Sequence, residues 1–514
     1  MSKRRDVFLK RREVLQLAGG AAVSQILAAP ALSQDARDAV RPFSSNLVTD
    51  AARALAAKPF SAPNADLPGP LSNLSYEAYV AIHAKPEGMI WARDSGGFVL
   101  EPLHRGFVFT TPMQINLVED GLTRRLPYDA GNFIFGGVNM SGPPTNLDFS
   151  GFRALYRGAD GALSEIAIFQ GASFFRSLAP DQNFGVTARG LSMRTGDPRG
   201  EEFPFFRAIW IEKPTRAGNV LVVHALLDSE SLTGAYRFTL HPGDATIIDT
   251  ECALFPRVDI DNFGLGTMSA TDLFSALDRR GVDDVRAAAT EVSGLQMLTG
   301  AGEWLWRPVA NRSNLQISEF VDQNPRGFGF LQRDRDFYAF DDDVQHWERR
   351  PSLWIEPIGD WGPGSVELLE IPSDSEPAQN IIAFWRAKRG LTKGQSAEFA
   401  YRQFWCWTPP TSPPLAIAVG ARGGRGGGAK QRRFQVDFQA DFLGDAAKAA
   451  DVKANLSTSP GRIASVRLFP APEQKRLRVL FDLDPNGENA CELRLSLEAL
   501  GAPVSETWLY RWTT

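Results

Sequence analysis

Residues 434–442 read Phe434-Gln435-Val436-Asp437-Phe438-Gln439-Ala440-Asp441-Phe442, with apolar and polar side chains in strict alternation. The period of two is that of a β-strand with one buried and one solvated face. The same alternation returns at Leu477, Val479, Phe481 and Leu483, and again at Cys491, Leu493, Leu495 and Leu497. Strands with one apolar face pair into two sheets packed face to face, so the C-terminal part predicts a two-sheet sandwich of immunoglobulin-like size. Glu506–Trp512 is its expected closing strand.

Working back from this stretch, the Gly- and Arg-rich run Gly420–Gly428 is expected to be a flexible inter-strand loop. Glu398–Trp407 reads as a strand, and the second unit is expected to start near residue 396. Upstream, short apolar or alternating runs are punctuated by Gly, Pro, Asn and Asp; examples are Gly106–Thr110, Ile166–Phe169, Val220–Leu227, Tyr236–Leu240 and Val366–Ile371. Many such strands predict a large β-sandwich. Two short helical stretches precede it, at 46–57 (Val48, Ala51, Ala52 and Leu55 at helical spacing) and at 75–84. The fold class is therefore all-β, divided into a 34–395 unit and a 396–514 unit.

Residues 1–33 read as an export signal. Arg4-Arg5 and Arg11-Arg12 precede an apolar run from Val14 to Leu27, and Ala31 and Ser33 suit cleavage before Gln34. The run is too short to span a bilayer. Arg11-Arg12-Glu13-Val14-Leu15-Gln16 resembles a twin-arginine signal, which carries folded cargo. The expected location is the periplasm, with no membrane insertion. The precursor has 55 basic and 60 acidic residues; the signal removes six basic and two acidic ones, leaving 49 against 58, a net charge of −9. That balance argues against nucleic acid and anionic membrane surfaces as partners. Cys252, Cys406 and Cys491 permit at most one disulfide and lack metal-ligand spacing. Without a zinc motif, a phosphate loop or a nucleophile elbow, no cofactor and no metal are expected.

Met297–Trp385 holds six of the twelve tryptophans, Trp304, Trp306, Trp347, Trp354, Trp361 and Trp385, beside Arg333-Asp334-Arg335-Asp336 and Asp341-Asp342-Asp343. Ring faces stack on the apolar faces of pyranoses, and charged groups bond hydroxyls. The six indoles together with Arg326 and Asp334 are therefore expected to form the wall of a sugar-binding groove. Each indole taken singly reads first as a packing residue of a β-rich core. Arg326, Arg333, Arg335 and Arg350 divide between sugar contacts and structural bridges, with bridges expected for two of the four. Tyr76 and Trp91 are expected in the core, and His346 at the surface or groove rim.

Long strings spread over the chain carry a resemblance to a known family. They include Leu74-Ser75-Tyr76, Gly171-Ala172-Ser173-Phe174-Phe175-Arg176, Ala188-Arg189-Gly190-Leu191, Gly200-Glu201-Glu202-Phe203-Pro204, Leu331-Gln332-Arg333-Asp334-Arg335-Asp336-Phe337 and Glu506-Thr507-Trp508-Leu509-Tyr510. The sequence resembles the periplasmic glucan biosynthesis proteins of the MdoG (OpgG and OpgD) type, and its twin-arginine signal is closer to the OpgD branch. The resemblance implies a large N-terminal β-sandwich with a cleft, a C-terminal immunoglobulin-like domain and a role in making osmoregulated periplasmic glucans. It makes a β-1,2-glucan polymer the expected ligand and the inner-membrane glucosyltransferase a possible partner. Some members are inverting hydrolases, which need one carboxyl group as acid and another as base. Hydrolytic members carry the acid as an Asp just before an Asn-Ile pair; here that position is Gln379, in Ala378-Gln379-Asn380-Ile381. An amide has no proton to donate at useful rates. The position of the base carries Glu291, in Thr290-Glu291-Val292-Ser293. Three readings follow: a glucan-binding protein that does not hydrolyse, a β-1,2-glucan hydrolase or transglycosylase with Asp374 or Glu376 as a displaced acid, and a non-catalytic partner of the glucan-synthesising membrane machinery.

Overall fold

The computed structural model describes residues 40–514 except 95–96, 141, 143–145, 159, 216–218, 280 and 429. The expected export signal lies outside the described residues.

Two large sheets face each other. One has sixteen strands and is built around the meander Phe205–Glu212, Leu221–Asp228, Leu232–His241 and Thr246–Pro256. The other has ten, ordered from Gln316–Gln323 through Pro363–Glu370, Ile381–Ala387, Phe263–Ala270, Thr187–Arg189 and Phe174–Ser177 to Phe98–Leu103. The main core lies between them, with Phe175, Ala188, Met268 and Ala383 from the smaller sheet packed with Leu227, Phe238, Ile248 and Trp405 from the larger. Because side chains alternate along a strand, Phe174, Arg176, Thr187, Arg189 and Ser269 stand on the opposite, outward face of the ten-stranded sheet. Helix Ser45–Ala56 seals the back of the meander, with Val48 and Ala52 against Trp210, Leu226 and Phe255. Among the described residues no helix is long and apolar enough to cross a membrane.

The C-terminal sandwich has the expected inward faces. A four-stranded sheet, Ile417–Arg425, Arg432–Gln439, Arg476–Asp484 and Arg462–Ala471, packs Phe434, Val436, Phe438, Val479 and Phe481 against Leu493, Leu495 and Trp508. The closing strand is Thr507–Thr513, paired with Ala490–Ala499. It also pairs in parallel with Trp304–Pro308, through Leu305 opposite Thr507 and Trp306 opposite Trp508. One hydrogen-bonded sheet therefore runs from the first sandwich into the second.

Several expectations are corrected. The strand Ala397–Cys406, assigned to the second unit, lies inside the sixteen-stranded sheet between Thr246–Pro256 and Ser352–Ile358. The Gly-Arg run is not a loop through its first half: Gly420 to Arg425 pair with residues 432–437. The strand begun at Arg432 ends at Gln439, and Ala440 and Phe442 belong to the turn that follows. Gly106–Thr110 is a tight loop, closed by a Gly106–Phe109 bridge with Phe107 at φ 53°. The three cysteines are free and buried. Trp91 is buried as expected, but Tyr76 is 58% exposed.

Candidate active site

The strands of the ten-stranded sheet end where Thr187 begins one strand, Ala270 closes another and Ile381 begins a third. The residue preceding Ile381 by two is Gln379, and three hydrogen bonds fix its side chain. Its Oε1 accepts from Ser269 Oγ at 2.9 Å, and its Nε2 donates to Thr187 Oγ1 at 2.6 Å and to Gly185 O at 3.4 Å. Thr187 Oγ1 also accepts from Arg176 Nε at 2.7 Å. The amide is thereby oriented with its nitrogen toward acceptors and its oxygen toward a hydroxyl donor.

Glu291 sits on the far side of Thr271. Glu291 N donates to Thr271 O at 2.9 Å, and Glu291 Oε2 accepts from Thr271 N at 2.9 Å. Burial raises the carboxyl above the usual glutamate range; the Arg350 and Arg176 guanidinium groups oppose that shift. The stem of Arg350 crosses Gly185, where an added Cβ would meet Arg350 Cδ at 3.0 Å and its Cβ at 3.1 Å. Gly185 thus touches both halves of the site: its carbonyl holds Gln379 and its bare Cα admits Arg350.

Arg286 closes the rim. It binds Asp342 at 3.0 Å, Glu376 at 2.9 Å and Asp284 at 2.9 Å. Thr271 Oγ1 donates to Ala378 O at 3.0 Å, anchoring the segment that carries Gln379. Below lies Asp272, 1% exposed, with no hydrogen-bond partner for either carboxylate oxygen. Its carboxyl is pushed up to about 7, first by burial and then by Glu370 and Asp278; Arg312 acts the other way. Cross-strand from it, Thr290 spends its hydroxyl proton on Val292 O at 2.7 Å. Its oxygen can accept from a protonated Asp272 but cannot also donate to an ionised one.

The structure places the tryptophans differently from expectation. All six are buried, so they present no free wall to a ligand. Trp304 stacks on Trp354 at 5.9 Å in a cluster with Phe404 and Cys406. Trp361 and Trp385 lie in the main core, and Trp347 donates to Asp342 Oδ2 at 2.8 Å. Trp306 lies under Arg333, 3.5 Å from the guanidinium carbon to the ring centroid. Arg333 and Arg335 are bridges: Arg333 binds Glu506 at 2.6 Å, and Arg335 donates to the carbonyls of Glu348, Arg350 and Trp407. Arg326 is exposed in the turn before Gly327–Leu331, at the opposite end of that strand from Asp334. Asp334 is exposed, and its backbone N–H donates to Gln332 Oε1 at 3.3 Å. His346 is half-buried at φ 49° and bonds Glu348 at 3.0 Å. Arg176, Thr187, Asp272 and Arg286 were not singled out in the sequence as site residues. Only the tertiary fold brings them to Glu291 and Gln379.

An all-β protein whose facing sheets end in a cluster of carboxylates, guanidinium groups and hydroxyls offers many directed hydrogen bonds to a polyhydroxylated ligand. The chain belongs to the MdoG family of periplasmic glucan biosynthesis proteins, whose family model matches residues 43–512. As a member of that family it is a periplasmic protein with a role in glucan biosynthesis. It is 41% identical over 477 residues to the glucans biosynthesis protein G of Vibrio cholerae, covering 92% of this chain and 87% of that one. It is 40% identical over 514 residues to the protein of the same name from Bradyrhizobium diazoefficiens, covering 98% and 100%. A Shewanella putrefaciens protein of that name is 42% identical over 478 residues, covering 92% and 87%.

Proposed function

We propose that this protein binds β-1,2-linked glucan at the Glu291–Gln379 cluster and hydrolyses it weakly or not at all. The observation that carries the reading is the Gln379 amide, held by Ser269, Thr187 and Gly185 at the position where hydrolytic members of the family carry the acid. Without a carboxyl there, protonation of the leaving oxygen falls to water. General-acid assistance is worth about 10²–10⁴-fold. Glu376, the candidate for a displaced acid, is engaged by Arg286 at 2.9 Å. The retained Glu291 carboxylate and the Arg176 and Arg350 guanidinium groups supply acceptors and donors for sugar hydroxyls.

The test incubates mature protein with linear β-1,2-glucan and follows new reducing ends beside calorimetric binding. Binding with negligible release of reducing ends is the expected result. Fast turnover by the parent protein, or no binding, overturns the reading.

A further inference from the structure

The four-stranded sheet of the C-terminal sandwich has a second face, turned away from its core, in a part of the chain whose charge is opposite to that of the rest. Residues 420–484 carry twelve basic and seven acidic side chains, a net of +5. Residues 34–514 together carry −9, so the remainder carries −14. A net charge averaged over the chain, which argues against an anionic surface as partner, conceals this segregation.

Phe434, Val436, Phe438, Val479 and Phe481 point inward, so the residues that alternate with them point outward. Three cross-strand Arg–Asp pairs stand on the outward face. Arg433 binds Asp482 at 2.8 Å, Arg478 binds Asp437 at 2.7 Å and Arg462 binds Asp484 at 2.8 Å. All three have the same polarity: the Asp482, Asp437 and Asp484 side chains are 7%, 13% and 19% exposed, against 36%, 47% and 72% for their arginines. The carboxylates lie beneath and the guanidinium groups on top. Two more cations join them, Arg422 opposite Gln435 and Arg467 opposite Leu480. Both are exposed, and among the described residues no carboxylate pairs with either.

Phe469, 46% exposed, stands among these cations, opposite Arg478 and two residues along from Arg467. A ring at the acyl boundary, with guanidinium groups around it in the headgroup layer, is a pairing that holds proteins at bilayer surfaces. The cations do not converge on one point, as they would around a single phosphate. They are spread over four strands, roughly 14 Å across, which matches a plane of headgroups. For a periplasmic protein that plane is a phospholipid leaflet of a bounding membrane.

We propose that this outward face docks the protein peripherally on a membrane surface rich in anionic phospholipid, with the guanidinium groups on the phosphates and Phe469 at the acyl boundary. The same surface repels the acidic remainder of the chain, so the docking has one orientation.

The test is sedimentation of the mature protein with vesicles of equal parts phosphatidylglycerol and phosphatidylethanolamine, beside vesicles of phosphatidylcholine alone. Binding to the anionic vesicles at low ionic strength, its loss at high salt, and no binding to the neutral vesicles are expected. Arg422→Gln with Arg467→Gln removes two cations and should weaken binding about thirtyfold at an unchanged melting temperature. Phe469→Ala should weaken it several-fold and leave its salt dependence as it was. Arg93→Gln with Arg124→Gln takes the same charge from exposed positions outside the C-terminal sandwich and should change nothing. The proposal is overturned if the parent does not sediment with the anionic vesicles, which is the result a face serving an acidic protein would give. Equal binding to the neutral vesicles overturns it too, as does an Arg422 and Arg467 double variant that binds like the parent. An equal loss in the Arg93 and Arg124 double variant would make the effect one of overall charge and overturn the assignment to this face. A Phe469→Ala variant that matches the parent overturns the part given to the ring.

Discussion

Replacing Asp272 by asparagine tests the electrostatics beneath the site. The carboxyl is 1% exposed, neither oxygen has a hydrogen-bond donor, and Glu370 and Asp278 add repulsion that Arg312 only partly offsets. Its pKa rises from 3.8 in the unfolded chain to about 7 in the fold. Between those values the folded protein holds a proton that the unfolded chain has released. Stability from this group is therefore fully present below about pH 4 and is lost as pH rises through about 7. At 1.36 kcal/mol per pH unit, the whole effect is on the order of 4 kcal/mol. The amide introduced by Asp272→Asn would keep the shape, offer an N–H toward Thr290 Oγ1 and carry no charge. The variant is expected to match the parent near pH 4 and to exceed it in melting temperature by a margin that grows with pH until about 7 and then levels off. The assay is thermal unfolding of both proteins from about pH 4 to 8.5, read as the difference between them so that other titrating groups cancel. Parallel curves, or a variant less stable at pH 8, would refute the reasoning.

Gln379→Asp restores a carboxyl where hydrolytic relatives carry the acid. It is expected to raise reducing-end release from β-1,2-glucan by about 10²-fold or more, measured against Gln379→Ala, which gains nothing. Gly185→Ala places a Cβ 3.0 Å from Arg350 Cδ; affinity for glucan should fall several-fold by calorimetry with the melting temperature nearly unchanged. Glu506→Gln places an amide nitrogen among the donors of Arg333, Gln296 and the Ala418 N–H. It should cost about 3 kcal/mol of stability, read as a lowered urea midpoint.

The C-terminal sandwich was legible because period-two alternation has one structural solution when both sheets bury one face: Phe434, Val436 and Phe438 all point inward. Glu291 and Gln379 were legible only through resemblance to family strings. The tryptophans misled because an indole that stacks on sugar and one that stacks on Trp354 have the same one-letter signature; burial is decided by strands far away in sequence. Gly420–Arg425 lacks the apolar alternation that marks a strand, yet its backbone pairs fully with 432–437. Phe107 could not be read as a loop residue from its type, since its left-handed backbone contradicts its propensity. Arg176 and Arg286 meet the site from segments about a hundred residues apart, which no local pattern encodes.

The connections around Glu291 argue that the C-terminal sandwich is part of the site's scaffold. Ser293 Oγ donates to Gln332 Oε1 at 2.6 Å, Gln332 Nε2 donates to Thr290 O at 3.1 Å, and Arg333 N donates to Ser293 Oγ at 2.9 Å. The segment bearing Glu291 is thus fastened to residues 332 and 333. Arg333 is fastened in turn to the fully buried Glu506, which also accepts from Gln296 Nε2 at 2.9 Å and from Ala418 N at 2.8 Å. Glu506 immediately precedes the closing strand of the second sandwich, and its neighbour Thr507 pairs with Leu305 of the first. A buried carboxylate with four donors tolerates neither sliding nor hinging without leaving charge unpaired. Displacement of the second sandwich would therefore pull Arg333, and through Ser293 the backbone on either side of Glu291. The second sandwich thus holds the Glu291 segment in place through Arg333 and Glu506.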